Sequence, residues 1–175
     1  TPEGVRTPKG FIEAYRQYVD GGWPALRASP EFGGQGAPTV LGTAVEELWA
    51  SANLAFKLCP MLTQGATEAL EHYGTDVQKA RFLSKMVSGE CIGVIAMSEP
   101  GVGSDLRSMR TTARRDGDHY VVNGQKTFIT NGWHADLMVT ATKLDPGAKE
   151  LTLICVEADR AGFSKGRLLE KIGLK

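Results

Sequence analysis

The sequence predicts an α+β fold with helices first and strands after, and two patterns carry that prediction. Up to about residue 90 the apolar residues recur at helical spacing between glycine stops. After Gly89 short apolar runs alternate with turn residues at roughly 8–12-residue spacing, the rhythm of an antiparallel barrel or sandwich. Size agrees: 175 residues, 42% of them hydrophobic, suffice for one domain or two small ones. The expected boundaries are 1–90 for a helical domain and 91–175 for a β domain.

Taken in order, Thr7-Pro8 reads as an N-cap and first-turn proline, and Phe11, Tyr15, Tyr18 and Val19 then share one face until Gly21-Gly22. Gly22 to Gly36 holds four glycines and two prolines and is a loop, with Trp23 and Phe32 turned inward. Pro38 opens a second helix carrying Leu41, Ala44, Val45, Leu48 and Trp49. A third runs from about Pro60 to Tyr73 and stops at Gly74. Thr75-Asp-Val-Gln78 is a capping box for a short helix through Phe82, Leu83 and Met86, closed by Gly89.

Cys91 to Met97 is nearly all apolar and too short for a helix, hence a buried strand. Arg110 to Arg115 and His119 to Val122 flank Asp116-Gly117-Asp118 as a hairpin. Gln125 to Thr130, bracketed by two Asn-Gly pairs, reads as a strand that puts Phe128 and Thr130 on one face. Asp136 to Thr142 and Leu151 to Glu157 pair around Asp145-Pro146-Gly147, and Glu170 to Lys175 begins one more strand.

Composition excludes several functions. Twenty basic against 20 acidic residues give no pull toward nucleic acid or anionic lipid. No apolar run approaches the roughly 20 residues that span a bilayer, and no signal peptide is recognisable, so no membrane insertion is expected. The three cysteines (Cys59, Cys91, Cys155) and three histidines (His72, His119, His134) are scattered, which argues against a metal site and for a reducing compartment. The expectation is a soluble intracellular protein. No Gly-x-Ser-x-Gly elbow or cysteine–histidine motif appears, so no catalytic residue is assigned.

Gly101-Val-Gly-Ser104 follows a strand as a phosphate loop would, but Leu106 stands where the dinucleotide fingerprint needs its third glycine. Two readings stay open: a backbone anion nest, or an ordinary tight turn. Ser98 and Ser104 could both direct hydroxyls to one side of it. Phe128 is either core or a platform for a flat ligand. Glu99 is either a general base or a carboxylate that caps N–H groups, and Asp105 caps the turn.

Cys91-Ile-Gly-Val-Ile-Ala-Met-Ser-Glu-Pro-Gly-Val-Gly-Ser-Asp-Leu106 and Tyr120-Val-Val-Asn-Gly-Gln-Lys-Thr-Phe-Ile-Thr-Asn-Gly132 resemble the two flavin-contacting motifs of the acyl-CoA dehydrogenase family. Pro30-Glu-Phe-Gly-Gly-Gln-Gly36, Gly162-Phe-Ser-Lys-Gly166 and Glu170-Lys-Ile-Gly-Leu-Lys175 extend the resemblance over almost the whole chain. It implies FAD as cofactor and α,β-dehydrogenation of an acyl-CoA to the trans-2-enoyl-CoA. Ile95, Ala96, Met97 and Ser98 would line the flavin's pyrimidine side, and Gly103 and Ser104 would lie near the FAD pyrophosphate, Ser104 also near the substrate's pantetheine arm. Phe128, where many relatives carry tryptophan, would stack on the ring, with Ile129 beside it and Thr130 bonded to the N5 edge.

The resemblance further implies an N-terminal helical domain short at its front, a middle β domain, and no C-terminal helical domain in this chain. The family's catalytic glutamate has no match in residues 1–175, so the chain alone would be inactive. Electron-transfer flavoprotein is the implied acceptor, a homodimer or homotetramer the implied assembly, and the bacterial cytoplasm or mitochondrial matrix the implied location. Ser51 to Ala66 is similar to the branch acting on methylthiopropionoyl-CoA, whereas 91–175 is similar to the fatty acyl branch. An acyl-CoA oxidase or flavin monooxygenase of the same fold is the nearest alternative. A non-catalytic flavin- or CoA-binding module is the other.

Overall fold

The computed structural model describes residues 6–169. Four helices come first: α1 (Phe11–Asp20), α2 (Thr39–Ala52), α3 (Leu54–Tyr73) and α4 (Asp76–Val87). Five strands follow: β1 (Gly93–Ala96), β2 (Thr112–Asp116), β3 (His119–Asn123), β4 (Leu137–Thr142) and β5 (Thr152–Glu157). The α+β class is as expected.

Local chemistry explains most helix ends. In α4 the capping box is complete, with the Gln78 N–H donating to Thr75 Oγ1 at 3.3 Å and the Thr75 N–H to Gln78 Oε1 at 2.9 Å. Beyond it Gly89 takes φ +81°, a left-handed conformation suited to glycine. Two starts differ from expectation. α1 begins at Phe11, not after Thr7, because left-handed Gly10 (φ +86°) separates Pro8 from the helix and serves as its N-cap. α3 begins at Leu54, not near Pro60, because the extended Asn53 caps it, its side-chain oxygen accepting the Phe56 N–H at 3.0 Å. Pro60 therefore lies inside α3, where its missing N–H leaves the Phe56 carbonyl without a helical donor.

In the β half, β1, β4 and β5 form one sheet in that order. β4 pairs antiparallel with β5 from Leu137↔Glu157 to Thr142↔Thr152. β1 pairs parallel with β4 from Gly93↔Leu137 to Ala96↔Thr140, so this region is not wholly antiparallel. Asp136 explains the register: its carboxylate accepts the Ile92 N–H at 2.8 Å and its own N–H donates to Ile92 O at 2.9 Å, which aligns the two strand starts. β2 and β3 form the expected hairpin, closed by Gly117 at φ +64° and joined to the sheet by the parallel bridge Thr112↔Lys143.

Gln125 to Thr130 is not a strand. One ladder-like bond, Thr127 N–H to Ser98 O at 2.9 Å, is followed by left-handed Phe128 (φ +56°) and Asn131 (φ +60°). That backbone breaks the period-two alternation, so Phe128 and Thr130 do not share a strand face. The expected strand at Glu170 to Lys175 lies outside the described residues.

The core joins the two halves. Ala66 and Leu70 of α3, Leu83 and Met86 of α4, and Leu137 and Val139 of β4 form one buried cluster, with Phe32 and Ile95 packed against it. Gly93 lets α3 and β1 approach, since a Cβ there would stand 3.1 Å from Ala66 Cβ and 3.2 Å from Met86 Cε. All six residues of β4 are buried, as befits the central strand. Trp23 packs edge-on against Trp49 at 5.9 Å, within an aromatic cluster that includes Tyr18 and Phe56.

Candidate functional site

β1 runs directly into a hydrogen-bonded turn. The Val102 N–H donates to Glu99 O at 3.1 Å and the Glu99 N–H to Val102 O at 2.9 Å, which closes Glu99-Pro-Gly-Val102. Neither Gly101 nor Gly103 has positive φ, and a Cβ on either would meet nothing within 4 Å. Their contribution is open space above the backbone, not left-handed geometry.

Glu99 points inward and fastens this turn. Its carboxylate accepts the Arg110 N–H at 2.8 Å, the Thr111 N–H at 3.0 Å and the Lys126 ammonium at 2.9 Å. Lys126 also donates to Met97 O at 3.0 Å, so one half-buried ammonium ties the strand exit to the second motif. Burial alone would raise the Glu99 pKa. The Thr111 hydroxyl, the Arg110 N–H, Lys126 and the Thr111 N–H outweigh burial and bring it down to about 2. The Thr111 hydroxyl contributes by proximity, because it lies outside hydrogen-bond geometry and is a buried oxygen without a partner. With both oxygens accepting from backbone N–H groups and the Lys126 ammonium, Glu99 caps the turn, the second of the two roles its sequence position offered.

An open groove of about 2130 Å³ runs between the helical and β halves. Its walls come from Phe11 of α1, Phe56 and Cys59 of α3, the hairpin strand β3, residues 124–134, and Met138, Thr140 and Ile154 of the sheet. A second cavity of about 40 Å³ near Arg27, Glu46 and Glu68 contains none of the motif residues.

The groove gathers part of the expected constellation. Phe128, Ile129 and Thr130 line it together with Pro100. Phe128, left-handed at φ +56°, is 65% exposed, while Ile129 packs back against the buried cluster of Val94, Ala96, Ala135 and Met138. Ile95 and the fully buried Ala96 direct their side chains into the core, which leaves only their backbone for a ligand. Met97 is exposed, and Ser98 is half-buried with its carbonyl taken by the Thr127 N–H. Gly103 and Ser104 are exposed beyond the turn and are not among the described residues lining the groove.

Two residues escaped the sequence reading. Lys126 carries no signal of its own and Asn131 reads as half of an Asn-Gly turn, yet Lys126 bonds Glu99 and the Asn131 carboxamide donates to the Cys59 carbonyl of α3. Partners 27 and 72 residues away leave no local pattern to find. Among the described residues no group of three or more His, Cys, Asp or Glu side chains could hold a metal ion. No described helix is long and apolar enough to cross a membrane.

Comparison with known proteins adds a family to this geometry. The model of the acyl-CoA dehydrogenase N-terminal domain matches residues 3–90, and that of the acyl-CoA dehydrogenase middle domain matches residues 94–175. The chain belongs to the acyl-CoA dehydrogenase family. Within it, the chain is 45% identical over 131 residues to 3-methylmercaptopropionyl-CoA dehydrogenase of Ruegeria pomeroyi, covering 74% of this chain and 22% of that protein. The crystal structure of an acyl-CoA dehydrogenase from Geobacillus kaustophilus superposes with a TM-score of 0.82 at 42% identity, covering 99% of this chain and 46% of that one. A glutaryl-CoA dehydrogenase from Mycobacterium smegmatis in complex with FADH2 gives 0.84 at 26% identity, covering 93% and 41%. The chain thus spans less than half the length of each of these acyl-CoA dehydrogenases.

Proposed function

We propose that this protein takes part in FAD-dependent α,β-dehydrogenation of an acyl-CoA thioester, with residues 1–90 as its helical domain and 91–175 as its β domain. The observation that carries the reading is the Phe128–Thr130 segment: an aromatic ring held exposed at positive φ, two residues from a hydroxyl, inside a wide groove. A flat ring system needs a stacking surface and hydrogen-bond donors at its edge, and this segment offers both. The residues present therefore fit FAD.

Phe128 would stack on the isoalloxazine and Thr130 would donate to its N5 edge. The exposed backbone at Gly101 and Gly103 would admit a phosphate without steric cost. Lys126 and Glu99 hold the strand exit and the second motif in fixed relation, which would steady the base of the segment that meets the ring. The bound flavin supplies the acceptor for the hydride that leaves the thioester's β-carbon. The α-proton would go to a carboxylate base, a role that does not fall to Glu99, whose oxygens are held by two backbone N–H groups and Lys126. Similarity to 3-methylmercaptopropionyl-CoA dehydrogenase supports an acyl-CoA thioester as the substrate class. Electron-transfer flavoprotein is the proposed oxidant of the reduced flavin, and a homodimer or homotetramer the proposed assembly.

The test is anaerobic addition of an acyl-CoA series to the complete protein, following the flavin's visible absorbance. Bleaching by a thioester with formation of the enoyl product supports the reading. Bound flavin that no acyl-CoA bleaches overturns it in favour of a binding module. Rapid oxygen consumption in place of dye reduction would indicate an oxidase or monooxygenase.

A further inference from the structure

We propose that Asn131 is a positioning residue for the flavin-contacting segment: it anchors the Phe128–Gly132 turn to α3 and thereby sets where the Phe128 ring and the Thr130 hydroxyl stand in the groove. This rests on the reading of the groove as a flavin site.

Three features converge on Asn131. Its backbone is left-handed at φ +60°, and with Phe128 it is one of the two described non-glycine residues at positive φ. Asparagine tolerates that conformation better than most side chains, but glycine, which follows at 132, would do so at less cost. The choice of asparagine therefore calls for a reason in the side chain. The side chain supplies it, because its Nδ2 donates to the Cys59 carbonyl, 72 residues away on the groove-facing side of α3. Lastly, the Asn131 carbonyl accepts the N–H of His134 at 2.9 Å and of Ala135 at 3.0 Å, which carries the turn into buried Ala135 and the start of β4.

The segment is thus held on both sides of the groove, by α3 through the side chain and by the β4 approach through the backbone. Phe128 and Thr130 are exposed, so packing does little to hold them. The half-buried Ile129 packs on the buried Val94, Ala96, Ala135 and Met138 cluster, and the Gly132 N–H to Ile129 O bond at 3.0 Å closes the turn's interior. Among the described residues the Asn131 carboxamide makes the one hydrogen bond from this turn to α3. A hydride acceptor misplaced by about 1 Å can lose up to a hundredfold in rate, so a lost anchor should be felt in flavin reduction before it is felt in substrate binding.

Two variants of the complete holoenzyme separate the anchor from the backbone conformation. Asn131→Gly keeps the left-handed turn and removes the donor. Asn131→Asp keeps size and shape but sets an acceptor against the Cys59 carbonyl. In a stopped-flow reductive half-reaction both should slow flavin reduction by about tenfold or more, with KM for the acyl-CoA changed less than about threefold. The visible circular dichroism of the bound flavin should shift in both, and this readout needs no substrate. Wild-type reduction rates and an unchanged flavin spectrum in Asn131→Gly would overturn the proposal, even if Asn131→Asp fails to fold. Lower stability with an unchanged rate per bound flavin would do the same. A wild-type protein that binds flavin but is bleached by no acyl-CoA sinks the dehydrogenase reading instead, and the dichroism comparison then still decides whether Asn131 orients the flavin.

Discussion

Glu99→Gln is the perturbation whose consequence is best defined by the geometry. Oε2 of the carboxylate accepts the Arg110 N–H at 2.8 Å, and Oε1 accepts both the Thr111 N–H at 3.0 Å and the Lys126 ammonium at 2.9 Å. Glutamine keeps one acceptor oxygen and replaces the other with a donor. Either amide orientation then opposes a donor to a donor, and the half-buried lysine loses its counter-charge. One lost charge-assisted bond is worth roughly 1.5–3 kcal/mol, and an orphaned buried charge raises the cost toward about 3–5 kcal/mol. Lys126 retains the Met97 carbonyl as a partner, which places the expected loss near the lower figure, about 3 kcal/mol.

Urea denaturation of the complete protein at neutral pH measures that loss. The double variant Glu99→Gln/Lys126→Met, with its single variants, gives the coupling. The double variant should be less destabilised than the sum of the singles by at least about 1 kcal/mol. The pH dependence adds a check on sign. Glu99 has its pKa lowered from an ordinary 4.5 to about 2, so its contribution is present above 4.5 and is lost as pH falls toward 2. Glu99→Gln should flatten that acid limb. A stability change within about 0.5 kcal/mol, or strict additivity with Lys126→Met, would refute the view that this pair fastens the turn.

Thr130→Val should slow flavin reduction by an acyl-CoA more than it weakens thioester binding; equal rates in single-turnover absorbance traces would remove Thr130 from the N5 edge. Phe128→Gly relieves a left-handed side chain that costs roughly 1 kcal/mol, so the apoprotein should be as stable as wild type or more so, while flavin affinity, followed by fluorescence titration, falls. Asn53→Ala removes the oxygen that accepts the Phe56 N–H and should lower the melting stability by about 1 kcal/mol without changing flavin binding, as calorimetry and titration of one sample would show.

What could be read from the sequence was local. Thr75 and Gln78 sit three apart and complete each other's hydrogen bonds, so their box is visible in four letters. Gly117 between two charged residues marks its hairpin for the same reason. Pro60 misled because prolines favour first turns, whereas the capping oxygen belongs to Asn53, seven residues earlier. Gln125 to Thr130 misled because its side chains alternate like a strand while its backbone turns left-handed at Phe128. The parallel pairing of β1 with β4 and the anchors from Glu99 to Lys126 and from Asn131 to Cys59 all join distant segments. No window of sequence contains both partners.

β1 is the outer strand of its sheet, and an outer strand ordinarily offers free backbone groups to any passing chain. Here one carbonyl of the strand and two at its exit are already taken by unlike groups. The Thr63 hydroxyl of α3 sits on Gly93 O at 3.0 Å, Lys126 sits on Met97 O, and the Thr127 N–H sits on Ser98 O. A strand from another molecule would have to displace a hydroxyl, an ammonium and an amide to gain its own ladder. The exit of β1 is thereby taken by partners from its own chain.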